Sequence, residues 1–181
     1  CVYQKNTLVE FELRVLDHVY LIMDGIVKQY FTNADGVEKT ILVLSRGDMF
    51  GEITMLQQDL DHCLTRAYSN VVLRKIPRTK FDAYLQACPQ SGQSVMLMLT
   101  TKVRVMMYQI YDSAYLDTKG RLYSLLERIA MQHGIGGETG RELLLPLTHE
   151  EIACMIGSTR STVTKLMRAL EEEGKIYRQG K

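Results

Sequence analysis

The chain changes its period at Pro77. Across residues 19–52, β-branched and aromatic runs are punctuated by Asp24-Gly25, Asp35-Gly36 and Arg46-Gly47-Asp48. Asp-Gly pairs favour tight hairpin turns, because glycine accepts a positive φ without steric cost. Further strands are predicted over 64–69 and 71–76, the second closed by Pro77. Several short strands at near-regular spacing describe a small barrel or jelly roll. Beyond Pro77 the pattern is helical: TKFDAYLQACP predicts a short helix closed by Pro89, and nothing breaks a helix from Ser91 to about Leu116. Sheet first and helices afterwards make an α+β chain of two domains.

The long helix carries a second message. Met96, Leu99, Val103, Met106 and Ile110 recur at alternating spacings of three and four. That heptad seam keeps one apolar stripe turned to a partner helix. A buried core helix would give the same spacing, but polar residues flank this seam, so a single stripe needs cover and a homodimer supplies it. The methionines are read as packing residues. A break is expected at Asp117-Thr118-Lys119-Gly120, then a helix over RLYSLLERIAMQHG, a glycine-rich loop IGGETG (135–140) and a short strand in RELLLPL.

Residues 147–176 read LTHEEIACMIGSTRSTVTKLMRALEEEGKI. Thr148 and Glu151 form a capping box, so a helix starts there with Ile152 and Met155 inward. Gly157 ends it in a tight turn, and Ser158 or Thr159 caps the next helix, residues 159–173. At about 100° per residue that helix sorts itself. Arg160, Ser161, Thr164, Lys165 and Arg168 cover one arc; Thr162, Val163, Leu166, Met167 and Leu170 cover the other, with Ala169 at the boundary. A helix–turn–helix needs this division, with the apolar arc on the first helix and the polar arc entering the major groove of duplex DNA. Arg can pair with guanine O6 and N7, while Ser, Thr and Lys meet phosphate or base edges. The candidate DNA-binding set is therefore Thr148, Ser158, Thr159, Arg160, Ser161, Thr164, Lys165 and Arg168. Glu171–Glu173 would repel phosphate and suit a solvated helix end; IYRQGK could begin a wing hairpin.

Bulk composition narrows the remaining classes. Of 181 residues, 46% are hydrophobic and 24% charged, enough for a core, and a net charge of +1 means that any nucleic-acid signal is local. No apolar run approaches the roughly 18 residues of a membrane span, so no membrane partner is expected. Cysteines at 1, 63, 88 and 154 have no CxxC spacing, which argues against a zinc knot and fits reduced thiols in a cytoplasmic protein. A chain starting at Cys1 leads to the expectation that residues are missing at both ends. No Ser-His-Asp, Walker or Rossmann pattern occurs. A metal-dependent jelly-roll enzyme would need clustered His and Glu on roll strands, yet of His18, His62, His133 and His149 only two belong to the roll. No enzyme and no metal site is expected. The other alternative is a cyclic-nucleotide-binding-like module that does not bind DNA, which would leave the predicted recognition helix without a task.

In order and spacing, VYLIMDGIVK, GDMFGEITML, YLDTKGRLYSLL and IGSTRSTVTKLMRALEEEGKI resemble the catabolite activator/FNR (CRP/FNR) superfamily of bacterial transcription regulators. The resemblance implies an effector-binding jelly-roll (cyclic-nucleotide-binding-like) domain over 1–88, a dimerisation helix over 89–117 and a winged helix–turn–helix domain over 118–181. It also implies a homodimer on a pseudo-palindromic operator, RNA polymerase as a partner and a small-molecule effector. By position, base contacts fall to Arg160, Ser161, Thr164 and Lys165. GDMFGE resembles the opening of the family's phosphate-binding cassette, in which backbone N–H groups and a glutamate hold a cyclic nucleotide. The effector-site candidates are Gly51, Glu52, Ile53, Asp61, His62, Cys63, Met106 and Met107. Asp61-His62-Cys63 stands where the family has the Arg-Ser pair that grips phosphate, and Met106 and Met107 where it has hydroxyls facing adenine. Cyclic AMP is therefore disfavoured, unless Arg66 or Lys102 replaces the missing charge. Haem-binding relatives use Cys and His where this chain has Gly51 and Ile53; iron–sulfur relatives need cysteines ahead of the roll.

Overall fold

The computed structural model describes residues 1–10, 15–60, 62–137, 140–143 and 147–177. The first half is a roll of two four-stranded antiparallel sheets. In chain order its strands are β1 (Val2–Tyr3), β2 (Leu8–Glu10), β3 (His18–Asp24), β4 (Val27–Thr32), β5 (Glu38–Leu44), β6 (Met49–Phe50), β7 (Leu64–Ala67) and β8 (Val71–Pro77). One sheet runs β1-β8-β3-β6 and the other β2-β7-β4-β5. The jelly-roll expectation holds. Alternation drives it: in β5, Thr40, Leu42 and Leu44 turn inward while their neighbours stay half-exposed. Leu42 and Leu44 meet Tyr20, Ile22, Val27 and Phe50 from the other strands in one buried cluster. The turn between β3 and β4 needs its glycine: Gly25 has φ +85°, and a Cβ there would lie 2.2 Å from the Asn70 carbonyl oxygen.

A six-residue helix, α1 (Glu52–Gln57), follows β6 directly. It was not anticipated; six residues are too few for a readable period. Next come α2 (Arg78–Ala87) and the long helix α3 (Pro89–Tyr115). One side of α3 lies on the roll, where Val95 and Met98 pack against Val19, Met49, Met55 and Phe81.

Two expectations for the C-terminal half need correcting. The expected break does occur, at Leu116 and Asp117, but Thr118–Gly120 already belong to α4 (Thr118–His133), because the Asp117 side chain caps it by accepting from Gly120 N–H at 2.7 Å. The expected loop IGGETG contributes instead to an antiparallel hairpin of β9 (Gly134–Gly137) and β10 (Gly140–Leu143), with Gly136 opposite Arg141. Glycines carry no β signal of their own, and only the cross-strand ladder makes them strands. The rest of the RELLLPL strand and the wing beyond Tyr177 lie outside the described residues. The last helices are α5 (His149–Ile156) and α6 (Arg160–Glu172), with Leu122, Leu126, Ile152, Ile156, Val163 and Leu170 as their shared core.

The chain divides into two compact units, Cys1–Met106 and Met107–Lys181. The division falls within α3, because that helix changes company: Lys102 and Val105 pack with the roll, and Asp112 bonds to α4.

Candidate DNA-binding face and effector pocket

In the second unit, both helix starts of the turn motif are set by local chemistry. Thr148 accepts from the Glu151 backbone N–H at 3.3 Å, and Glu151 Oε2 accepts from the Thr148 N–H at 2.8 Å. Gly157 closes α5 at φ 64° and ψ 57°, left-handed geometry that glycine adopts without strain. Thr159, and not Ser158, caps α6, accepting from Thr162 N–H at 3.2 Å. Val163 and Leu170 are fully buried, which anchors the apolar arc. Burying such side chains is worth roughly 1.5–3 kcal/mol each.

The polar arc is then held outward. Arg160, Ser161, Lys165 and Arg168 are exposed together on α6, and among the described residues none of these cations is ion-paired within 4.0 Å. Thr148 and Thr159 are also exposed, but their hydroxyls serve the caps. Ser158 is half-buried in the turn. The acidic run at the end of α6 is partly neutralised, since Glu173 pairs with Lys119 and with Lys175. Hydrogen bonds from those lysines hold the Glu173 carboxyl below its ordinary range.

Several supporting residues gave no readable signal. Arg121 donates to the Ile156 carbonyl at 3.1 Å, the Leu116 carbonyl at 3.2 Å and Thr118 Oγ1 at 3.2 Å, tying the start of α4 to the end of α5. Buried Asp112, near the end of α3, accepts from Arg128 at 2.5 Å and from Ser124 at 3.0 Å. His149 Nδ1 lies 2.8 Å from Thr164 Oγ1, joining the first turn of α5 to the second turn of α6. Nothing in a linear pattern marks these partners.

In the roll, Gly51, Glu52, Ile53 and Cys63 line one cavity of about 30 Å³, together with Glu10, Leu16, Gln29, Phe50, Thr54 and Thr65. A single water needs roughly 10–15 Å³ on this scale, so the cavity holds about two. His62 is exposed and does not line it; Met106 and Met107 do not line it either, Met107 being exposed on α3. Asp61 lies outside the described residues. None of Glu10, Gln29 and Thr65 was singled out from the sequence.

The cassette glutamate is already engaged. Glu52 is 2% exposed and Lys102 6%. Lys102 Nζ donates to Glu52 Oε1 at 2.6 Å and to the Met49 carbonyl at 2.6 Å, while Glu52 Oε2 has no hydrogen-bond partner among the described residues. Arg66 is committed as well, donating to Glu38 Oε1 at 2.7 Å, with Lys28 on Glu38 Oε2 at 2.8 Å. Burial pushes the Glu38 carboxyl up, but these two cations outweigh it and hold it low. Both cations that were candidates to replace the cassette arginine thus sit on carboxylates.

The seam residues remain uncovered in the single chain: Met96 and Ile110 are 62% and 68% exposed, and Val103 is exposed between them, with Leu99 and Met106 half-buried. Tyr111 and Tyr115, also exposed, extend the apolar surface towards the end of α3. Among the described residues, no helix is long and apolar enough to cross a membrane.

Two family models match, in the order of the two units: the cyclic nucleotide-binding domain over residues 1–88 and the Crp-like helix-turn-helix domain over residues 120–181. The chain belongs to the CRP/FNR family. This CRP/FNR protein is 27% identical over 179 residues to the cAMP-activated global transcriptional regulator CRP of Pasteurella multocida, covering 98% of this chain and 84% of that one. It is equally, 27%, identical over 176 residues to the global nitrogen regulator of a Nostoc species, covering 96% and 79%. In fold it is similar to a CooA variant from Carboxydothermus hydrogenoformans, with a TM-score of 0.87, 24% identity, and coverage of 99% of this chain and 79% of that one. Members of the family are effector-controlled regulators that bind DNA through the helix-turn-helix domain, and this chain is one of them. Equal identity to relatives named for different signals means that overall similarity does not choose the effector.

Proposed function

We propose that this protein represses or activates transcription as a two-fold dimer, with α6 in the major groove and Arg160 leading the base contacts. The carrying observation is the exposed arc of α6, where Arg160, Lys165 and Arg168 form no ion pair with any described residue, on the side opposite the buried Val163 and Leu170. A charged arc that merely solvates a helix has no need of a buried ridge aligning it, nor of the two caps that fix its entry angle. In this reading residues 1–88 sense the effector, 89–117 pair the protomers and 118–181 bind DNA. The partner copy covers Met96, Leu99, Val103, Met106 and Ile110, and half-sites of the operator lie about 34 Å apart. RNA polymerase is the downstream partner and the cytoplasm the place of action; relatives named as regulators leave a jelly-roll enzyme without support.

In this reading the effector reaches the roll beside Gly51, Glu52 and Cys63, where a site larger than the two-water cavity must open, and it is a molecule other than cyclic AMP. A buried phosphodiester needs a charge-assisted donor, and the nearby described cations are spent on Glu52 and Glu38. The DNA reading is tested by anisotropy titration on a duplex selected from a random library. Arg160→Ala should lose roughly 1–3 kcal/mol on the selected site and relax preference at one position per half-site. Unchanged affinity and preference would refute the assignment.

A further inference from the structure

Charge does not balance in the wall of the roll cavity. Two of its lining side chains are carboxylates, Glu10 and Glu52, and no lysine, arginine or histidine is among the described residues that line it. Lys102 reaches Glu52 from α3 and neutralises that one charge. Glu10 has no such cation. Among the described residues its carboxylate has one ion-pairing neighbour within 4.0 Å, His18, with Nε2 at 3.6 Å. The other His18 nitrogen, Nδ1, lies 2.7 Å from Asp17 Oδ1. A carboxylate there accepts an N–H, so the neutral ring carries its proton on Nδ1 and leaves Nε2 a bare lone pair beside Glu10. That nitrogen is buried without a hydrogen-bond partner among the described residues. The Tyr20 hydroxyl bonds to Glu10 but brings no charge, since burial and that bond push its ionisation up from the ordinary tyrosine range.

The neutral side-chain donors of the wall are largely committed. Thr54 Oγ1 donates to the Gly51 carbonyl at 3.2 Å, a Gln29 amide hydrogen goes to Thr65 Oγ1 at 3.3 Å, and the Cys63 thiol to the Leu64 carbonyl at 3.8 Å. For a ligand's acceptors the wall keeps neutral groups such as the first-turn N–H groups of α1, which have no partner within their helix. For a ligand's donors it keeps charged ones: Glu10, and Glu52 Oε2, which lacks a partner among the described residues in a side chain only 2% exposed. We propose that Glu10 is the specificity-determining residue of the effector pocket, selecting a ligand with a primary ammonium group that donates to Glu10 and to Glu52 Oε2. An ammonium packs three donors into a compact head about as large as a water molecule. In volume that head suits the present cavity of about 30 Å³, and the remainder of the ligand needs the wider opening. An anionic group would face Glu10 with no free cation to offset it. The proposal rests on the roll as the effector domain and names the class of molecule it takes.

The test is thermal unfolding of the full-length protein at about pH 8, where imidazoles are ordinarily neutral. The probes, at millimolar concentration and equal ionic strength, are methylammonium and putrescine against tetramethylammonium, acetamide, acetate and phosphate. Tetramethylammonium carries the charge without an N–H, and acetamide an N–H without the charge. A probe at about five times its dissociation constant raises the melting temperature of a chain this size by roughly 2–4 °C. Methylammonium and putrescine should do so and the other four should not. Glu10→Gln keeps an acceptor for Tyr20 but loses the charge and should abolish the shift; Glu10→Asp keeps the charge and should retain part of it. If Glu10→Gln does not fold, backbone amide shifts of the isotope-labelled wild type decide: methylammonium should move Glu10, Gly51 and Thr65 and leave α6 unmoved. Equal stabilisation by tetramethylammonium, or of wild type and Glu10→Gln alike, would mean a general cation effect and overturn the proposal. No response to either amine would overturn it too. Acetamide, acetate or phosphate moving the same amides while the amines do not would overturn the ammonium assignment and leave the roll as the effector domain. Amine-induced shifts confined to residues outside 1–88 would overturn the roll reading, and this proposal with it.

Discussion

Replacing Lys102 with Met removes a charge from beside a carboxylate that is almost wholly buried. Glu52 is 2% exposed, its Oε1 accepts from Lys102 Nζ at 2.6 Å, and its Oε2 has no donor among the described residues. Met keeps nearly the length and volume of the lysine stem, so packing changes little. What remains is a buried carboxylate without its cation, and the Met49 carbonyl without its donor. Breaking one side of a buried pair costs about 3–5 kcal/mol, mostly the desolvation of the abandoned charge. For a chain of this size about 1 kcal/mol corresponds to roughly 2–4 °C, so the roll should melt roughly 6–20 °C lower. The double variant Glu52→Leu/Lys102→Met abandons no charge and should recover most of that loss. Scanning calorimetry of wild type, both single variants and the double at one protein concentration gives the full cycle. If Lys102→Met melts within 2 °C of wild type, water or a rearranged donor reaches Glu52, and the argument that the cassette glutamate is closed off fails.

Millimolar cyclic AMP should leave the melting temperature unchanged, whereas a ligand at a hundred times its dissociation constant would add about 2.7 kcal/mol; a shift of several degrees with cyclic AMP and none with AMP would contradict the reading of the pocket. Val103→Glu places a carboxylate in the seam and should give monomers that bind DNA poorly, as sedimentation velocity at micromolar concentration would reveal; a wild-type monomer there would refute the dimer. Glu38 is held below its ordinary pKa after Lys28 and Arg66 overcome the effect of burial. Its stabilisation is therefore complete above the unfolded carboxylate value, about 4.3, and is lost as pH falls through the lower folded value. Glu38→Gln should flatten that part of the acid limb, and an unaltered limb in calorimetry below pH 5 would show that the pair contributes nothing.

Local chemistry made much of this protein legible in one dimension. The capping box of Thr148 and Glu151, the left-handed Gly157 and the Thr159 cap are each decided within four residues, so their spacing alone announced two helices and a turn. The division of α6 into arcs followed from the helical period, and Val163 and Leu170 are buried where that period put them. The β-branched runs and Asp-Gly turns of the roll were equally local. Residues 134–143 were not legible, because glycines become strands only through a ladder.

What the tertiary structure decided is which polar groups spend their hydrogen bonds on each other. Lys102 reaches Glu52 across 50 residues, and Arg66 reaches Glu38 across 28. Those pairings turn two prospective anion-binding cations into neutralised ones, an outcome that a count of charges cannot contain. Thr164 lies among the polar residues of α6 by the helical period, but its hydroxyl is engaged by the Arg160 carbonyl and by His149, 15 residues earlier and on another helix. Sequence determines the local geometry and the supply of functional groups, because backbone preference and helical period act over a few residues. Their availability is settled in three dimensions, because a buried charge or hydroxyl binds whatever partner the packed chain brings within about 3 Å.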